Sequence, residues 1–401
     1  MPEQWSEFST GERVAFLRGS DLTQQGLAEA AELSVSTIQK VEQTSRASVG
    51  TLLRLARALN VDISVVLGQQ GPRRSMTRSD RAALRAIESA VHSSALRLYP
   101  EDLTPGDLPS LQLAMREARR LHWAGRHVEI GSILPQLLLE ATALTDAARG
   151  EERQAALRVL TDAYRQAALV GNHLGSRNLA YAAMTQAKAA SVLTGDELLH
   201  AAQDVTLAWV LMRDAKLEEA VNLSLRSAAR IEPSFSRRDP ERGAVYGKLM
   251  IRAAVAASRQ EDKDRAHDYM SEAHAAAARV EDEITPYEVT FGPTTASTEA
   301  VTVALGLGEV GKALKLIRTT EGVDRLKDVP RLRYQLSVAL AQCEARQWDR
   351  SADTLAAIVD ERPQWAKHQA LVGVVNQRIA EGATAKARRI SRAIGVPLVM
   401  R

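Results

Sequence analysis

The chain carries one cysteine, Cys343, in 401 residues. A disulfide within the chain is therefore excluded, as is a zinc cluster built on cysteine pairs, and Cys343 is expected to fill a helix interface. Aromatic residues are also scarce, at 4%. That scarcity beside abundant alanine disfavours a β-sandwich and suits helices packed closely through small residues. No apolar run approaches the roughly 18 residues that read as a membrane helix. The opening stretch MPEQWSEFSTGER has neither the basic nor the apolar region of a secretion signal. The expectation is a cytoplasmic protein without a membrane partner. A strong charge imbalance is missing too: 52 basic against 49 acidic side chains leave a net charge of +3. Residues 1–75 hold eight of each, so any attraction of that region for phosphate must come from local placement.

An apolar fraction of 45% and a charged fraction of 25% are ordinary for a globular chain, and the length allows about two or three domains. The most informative stretch is Gln24 to Gln43, QQGLAEAAELSVSTIQKVEQ, which reads as two short helices joined by a tight turn. Ser9 with Glu12 fits a capping box and predicts a first helix through about Arg18, burying Val14 with Phe16 or Leu17. Thr23 can cap a second helix with Leu27, Ala28 and Ala31 inward. The turn is Glu32-Leu33-Ser34, and Ser34 can cap a third helix from Val35 to about Glu42 whose Ile38 and Val41 face the core. Ser36, Thr37, Gln39, Lys40 and Gln43 are then left outward. Ser48 can cap a fourth helix carrying Leu52, Leu53, Leu55, Ala56 and Leu59, and Ile63 to Leu67 forms a short fifth.

The second helix of such a pair fits the DNA major groove with its first residues at the base edges. Gln can make two hydrogen bonds to adenine, and Ser or Thr suits several base edges. Gln24, Gln25, Arg46 and Ser48 are placed to meet phosphates, which set register without reading sequence. Lys40, Arg46, Arg54 and Arg57 gather after the turn with only Glu42 opposing them. Arg73, Arg74, Arg78, Arg81 and Arg85 follow, as a solvated basic linker or as further phosphate contacts.

Residues 22–62 resemble the helix-turn-helix domain of the Xre/Cro (lambda-repressor-like) family. The likeness runs through Leu22-Thr23-Gln24, Leu27-Ala28, Ser34 to Ile38, Glu42, and Thr51-Leu52 to Leu59. It implies base contacts from Val35, Ser36, Gln39, Lys40 and Gln43. Taken with the placement argument, the candidate DNA contacts are Gln24, Gln25, Ser34, Val35, Ser36, Thr37, Gln39, Lys40, Gln43 and Arg46. Two departures from the family pattern stand out. Glu32 occupies a turn position that usually holds glycine because its φ is often positive; a glutamate there costs on the order of 1 kcal/mol, or the turn is shifted slightly. Gly26 sits inside the second helix, costing up to about 1 kcal/mol relative to alanine. A bundle of this type that no longer binds DNA is the bland alternative.

Residues 69–80, QQGPRRSMTRSD, read as a linker. Beyond them apolar helices alternate with short polar breaks, with earlier hairpins expected near 110–145 and 152–193. Aligning Asp214-Ala-Lys-Leu-Glu-Glu-Ala220, Glu261 to Ala266, Gly308 to Ala313 and Gln347 to Ala352 brings alanine into register at spacings suited to stacked helical hairpins. Ala208 and Ala254 in the preceding helices, and Pro233 and Pro363 after two units, extend the pattern. The region resembles a degenerate tetratricopeptide (TPR) array, which implies a superhelix with a concave binding surface. With Thr290-Phe291-Gly292-Pro293-Thr294, the whole layout is similar to actinobacterial Xre regulators with a TPR-like C-terminal region. It is also similar to the peptide-sensing TPR regulators of Gram-positive quorum sensing. TPR geometry would turn Trp209, Arg213, Lys248, Thr298, Tyr334 and Glu344 inward, a set suited to an extended peptide or a small polar effector.

The expected fold is all-α: an N-terminal five-helix lambda-repressor-like helix-turn-helix domain over 1–68, a linker over 69–80 and a TPR-like α-solenoid over 81–401. The expected function is a sequence-specific, dimeric transcriptional regulator. Its partners would be double-stranded DNA, a second copy and a peptide or small-molecule effector. A TPR-type interaction scaffold with a minor DNA role is the alternative. No enzyme and no cofactor are expected. Gly306-Leu-Gly308-Glu-Val-Gly311 matches a dinucleotide fingerprint by letter, but no βαβ pattern surrounds it, so its glycines are read as a solenoid turn. The eight histidines form no HExxH pair, His267 and His274 are too far apart for a good metal site, and His122 beside Trp123 is read as a helix end. The segment Lys386 to Arg392 is a basic closing helix that could meet DNA, a dimer mate or water.

Overall fold

The computed structural model describes residues 8–19, 22–59, 61, 63–67, 78–98, 100, 103–104, 106–234 and 238–395. Helix α1 (Thr10–Arg18) starts at a capping box in which Ser9 accepts from the Glu12 amide while Glu12 accepts from the Ser9 amide. Thr23, Ser34 and Ser48 each cap the next helix: α2 (Gln24–Ala30), α3 (Val35–Thr44) and α4 (Val49–Ala58). A short α5 (Ile63–Val66) closes this unit. Its core gathers Val14, Leu27, Ile38, Val41, Leu52, Leu55 and Val66. Of the two alternatives for the inner face of α1, Leu17 packs beside Val14 and Phe16 is 51% exposed. Arg13 is buried instead, donating to the Val66 carbonyl at 2.9 Å and to the Phe8 carbonyl. Satisfying those two carbonyls lets a guanidinium tie α1 to α5.

Helix α6 begins inside the segment read as linker, running over Arg78–Leu96, and the rest of that segment lies outside the described residues. The remaining helices stack as hairpins. They are α7 (Leu108–Trp123), α8 (His127–Ile130), α9 (Leu134–Ala147), α10 (Gly150–His173), α11 (Arg177–Leu193), α12 (Glu197–Arg213) and α13 (Leu217–Arg230). Then follow α14 (Pro240–Arg259), α15 (Lys263–Val280), α16 (Pro293–Gly306), α17 (Val310–Thr319), α18 (Asp328–Glu344) and α19 (Trp348–Glu361). The stack ends in α20 (Pro363–Lys367), α21 (Ala370–Ile379) and α22 (Thr384–Ile394). The protein is all-α, a helix-turn-helix domain followed by a helical solenoid.

One turn recurs. A residue with positive φ ends the first helix of six hairpins: Gly125, Gly175, Ala215, Glu261, Gly308 and Arg346. The next amide then donates five residues back, as from Lys216 to Leu211 at 2.9 Å and from Gln347 to Gln342 at 2.8 Å. This satisfies carbonyls that the helix end leaves orphaned. Five residues after each of these positions lies a side chain with no solvent exposure: Ile130, Ala180, Ala220, Ala266, Ala313 and Ser351. The final unit is thus shifted by one from the expected alignment on Ala352. Ser351 takes the contact, its hydroxyl donating to the Ala339 carbonyl at 2.7 Å. The helix-turn-helix turn is built the same way: Glu32 has φ +54°, and the Leu33 amide donates to Ala28 at 2.9 Å.

The solenoid returns on itself. Trp365 of α20 is fully buried over the α7–α8 turn, where a methyl added at Gly125 would sit 2.9 Å from its ring. Trp123 packs against the same C-terminal cluster, donates to Glu288 at 2.8 Å and lies beneath the Lys327 ammonium. Glu288 belongs to a loop pinched by paired hydrogen bonds between Ile284 and Phe291. Its consecutive left-handed residues, Tyr287 and Glu288, carry the loop towards α7.

Candidate nucleic-acid interface and the chamber behind it

Helix α3 is held from behind and open in front. Ile38 and Val41 are buried, while Ser34, Val35, Ser36, Gln39, Lys40, Gln43 and Arg46 are exposed and Thr37 is half-buried. The Ser34 hydroxyl caps the Thr37 amide at 3.1 Å and lies within 3 Å of the hydroxyls of Ser36 and Thr37. These three hydroxyls form one cluster at the helix start. Glu42 orients the helix from the side: one carboxylate oxygen accepts from Arg18 at 2.9 Å and the other from Gln24 at 2.6 Å. The Gln24 side chain is thus engaged in fixing α2 against α3 rather than reaching outward. Gln25 stays exposed beside Glu29. Arg46 is two-thirds exposed but pairs with Glu381 at 3.0 Å, so a solenoid carboxylate stands where a phosphate is expected. Arg57 faces away from α3, donating to the Ala215 carbonyl at 3.5 Å.

The domain docks onto the solenoid through α4 and the segment between α3 and α4. Its core includes Ala215 and touches Val374, and Arg378 donates to the Ala47 carbonyl at 3.2 Å. The backbones also come close at Gly50, where an added methyl would stand 2.8 Å from the Arg259 carbonyl oxygen. A side chain there would push the two units apart.

Behind this joint lies a cavity of about 320 Å³. One wall is α4 and α5, through Val49, Leu52, Leu53, Ile63 and Leu67. The rest comes from α7, α10, α12, α14, α16, α18, α21 and the Glu288 loop. Five of the six expected inward residues meet here: Trp209, Arg213, Lys248, Thr298 and Tyr334. Glu344 does not. It is the last residue of α18 and pairs with Arg378, supporting the domain joint instead.

The sequence reading missed most of the chamber's charge. Arg165, Arg252, Arg259 and Arg333 join Arg213 and Lys248, against the two lining carboxylates Glu288 and Glu299. A signal was present: Lys248, Arg252, Val255 and Arg259 are spaced four, three and four apart, one face of a helix. Lys248 pairs with Glu299 at 3.3 Å, Arg252 donates to the Val205 carbonyl at 3.3 Å, and Arg333 stacks over Trp209 at 5.0 Å. Burial pushes Arg259 and Arg333 down to about 10, and the charge of nearby Arg252 adds to both shifts. Burial also works against the charge of Glu299, yet Lys248, Arg252 and Arg333 together hold its carboxyl below the ordinary value.

Beside the chamber, His122, His127 and His173 form a buried cluster. The rings of His127 and His173 stack at 3.8 Å, and His173 lies 5.0 Å from Trp209. Burial holds all three far below the usual imidazole range, His127 at about 3. Among the described residues no group of histidine, cysteine or carboxylate side chains is arranged to hold a metal ion, and no helix is long and apolar enough to cross a membrane.

A family model for a helix-turn-helix domain matches residues 17–66. A search of curated proteins and a search of solved structures each found no match. The matched span runs from the end of α1 to α5, and it supports a DNA-binding transcriptional regulator.

Proposed function

We propose that this protein is a sequence-specific transcriptional regulator that binds DNA as a dimer and answers to an effector held in the solenoid. The observation that carries the reading is α3: a rigidly backed helix whose outward face is polar and exposed. Its start would enter the major groove. Ser36, Gln39 and Lys40 would read base edges, while Ser34, Thr37 and Gln25 would contact the backbone. Gln43 and Val35 extend the same face. Two such domains would meet half-sites about 34 Å apart, one turn of DNA. The chamber supports an effector, since its volume falls at the lower end of the ~300–1,000 Å³ of ligand pockets and both units line it. An effector regulates only by favouring one arrangement of the two units over another.

The test is fluorescence-anisotropy binding to DNA from the protein's own upstream region and to scrambled DNA, over a salt series. A preference for its own sequence that persists as salt rises is the expected result. Weak, equal binding that vanishes with salt would reduce the interaction to phosphate attraction and defeat the proposal for that target. A genomic selection yielding no enriched sequence would then defeat it altogether.

A further inference from the structure

The chamber is lined by Arg165, Arg213, Lys248, Arg252, Arg259 and Arg333 against two carboxylates, Glu288 and Glu299, the latter paired with Lys248. Half-buried cations crowded together repel one another and lose hydration, a cost that an anion seated among them would offset. Guanidinium forks suit carboxylate, sulfonate or phosphate groups, which accept two parallel hydrogen bonds. The wall contributed by the helix-turn-helix domain is apolar, through Leu53 and Ile63.

We infer that the chamber binds a small anionic amphiphile, its acidic group among these cations and its apolar end against α4 and α5. This rests on reading the chamber as the effector site. The closed superhelix and the modest volume favour a compact organic acid over an extended peptide. Because the ligand would touch both units at once, its occupancy would bear directly on how the DNA-binding domain is held.

Two fluorescent probes with nearly the same aromatic body test this on the full chain: 8-anilino-1-naphthalenesulfonate, which is anionic, and N-phenyl-1-naphthylamine, which is not. The expected result is one sulfonate site per chain, at least tenfold tighter than the neutral probe. Arg252→Gln and Arg333→Gln should each weaken the sulfonate tenfold or more and leave the neutral probe unchanged, which also reports that the variants fold. Arg389→Gln, an exposed control on α22, should change neither. Equal affinity for the two probes, no binding of the sulfonate, or indifference to both chamber substitutions would overturn the inference. Hydrogen exchange should slow in α4 and α5 when the sulfonate binds, and protection confined to the solenoid would overturn the placement of the apolar end. Displacement of the probe by a glutamate-rich decapeptide but not by octanoate would overturn the size limit. Loss of DNA specificity with sulfonate binding intact would defeat only the regulator reading, whereas a chamber that takes no anion in a protein that still selects DNA would defeat only this one.

Discussion

Two glycines in one small domain should respond to the same substitution with opposite sign. Gly26 lies in α2 and Gly50 in α4, and replacing a helical glycine with alanine ordinarily gains up to about 1 kcal/mol. At Gly26 the new methyl would meet only the tip of the Leu22 side chain at 3.0 Å and the Thr23 hydroxyl at 3.4 Å. A leucine tip can rotate aside, so Gly26→Ala should keep most of that gain. At Gly50 the methyl would meet the backbone carbonyl of Arg259 at 2.8 Å, and backbone cannot yield so cheaply. Overpacking of this kind costs about 1–3 kcal/mol, which outweighs the propensity gain. Gly50→Ala should therefore lose about 1 kcal/mol in the docked protein, or about 4–8 °C for a domain of this size. Calorimetry of the full chain resolves the sign, with the helix-turn-helix transition moving down for Gly50→Ala and up for Gly26→Ala. Stabilisation of both variants alike would refute the close approach at Gly50, and with it the docked arrangement.

Gln39→Ala should weaken binding to the preferred DNA by about 1–3 kcal/mol and barely affect scrambled DNA; equal losses on both, measured by anisotropy, would remove Gln39 from base reading. Arg46→Ala should lower affinity for all sequences alike. Glu381→Ala should raise it by up to about fivefold, since an exposed ion pair is worth about 0–1 kcal/mol and its loss frees Arg46 for phosphate; unchanged affinity would show that the pair opens at no cost. The buried histidines predict acid lability. Their folded pKa values lie below the unfolded value near 6.5, so the unfolded chain binds more protons, and stability is complete above about pH 6.5 and falls as pH drops towards 3, the value held by His127. Each imidazole contributes a slope of about 1.4 kcal/mol per pH unit. Urea midpoints across that window should therefore show a shallower decline for His127→Leu, and an unaltered slope would mean that the ring is protonated in the folded protein.

The N-terminal unit was legible because its signals are local. Ser9, Thr23, Ser34 and Ser48 each announce a helix within four residues, and the positive φ of Glu32 follows from the turn it occupies. The hairpins were legible as a rhythm but not to the residue. Three of the recurring turns use Ala215, Glu261 and Arg346 where glycine would have marked them, which hides the register shift at Ser351. The inward set was what the TPR resemblance implied; five of its members line the chamber, whereas Glu344, at a helix end, is drawn aside by Arg378. The Gln24–Glu42 hydrogen bond was not legible because its two partners stand on different helices. Nothing local announces that Trp365 will seat on Gly125, since that contact depends on the summed rotation of every hairpin between them.

That contact changes what kind of object the solenoid is. An open stack of hairpins can gain or lose a unit at little cost, because each unit answers only to its neighbours. A stack whose end is seated on its beginning has a fixed circumference. Adding or deleting one hairpin would leave Trp365 facing the wrong partner and open apolar surface at both ends together. The copy number of hairpins is thereby locked by geometry, and variation is confined to side chains and loops, where it alters the contents of the ring without altering its size.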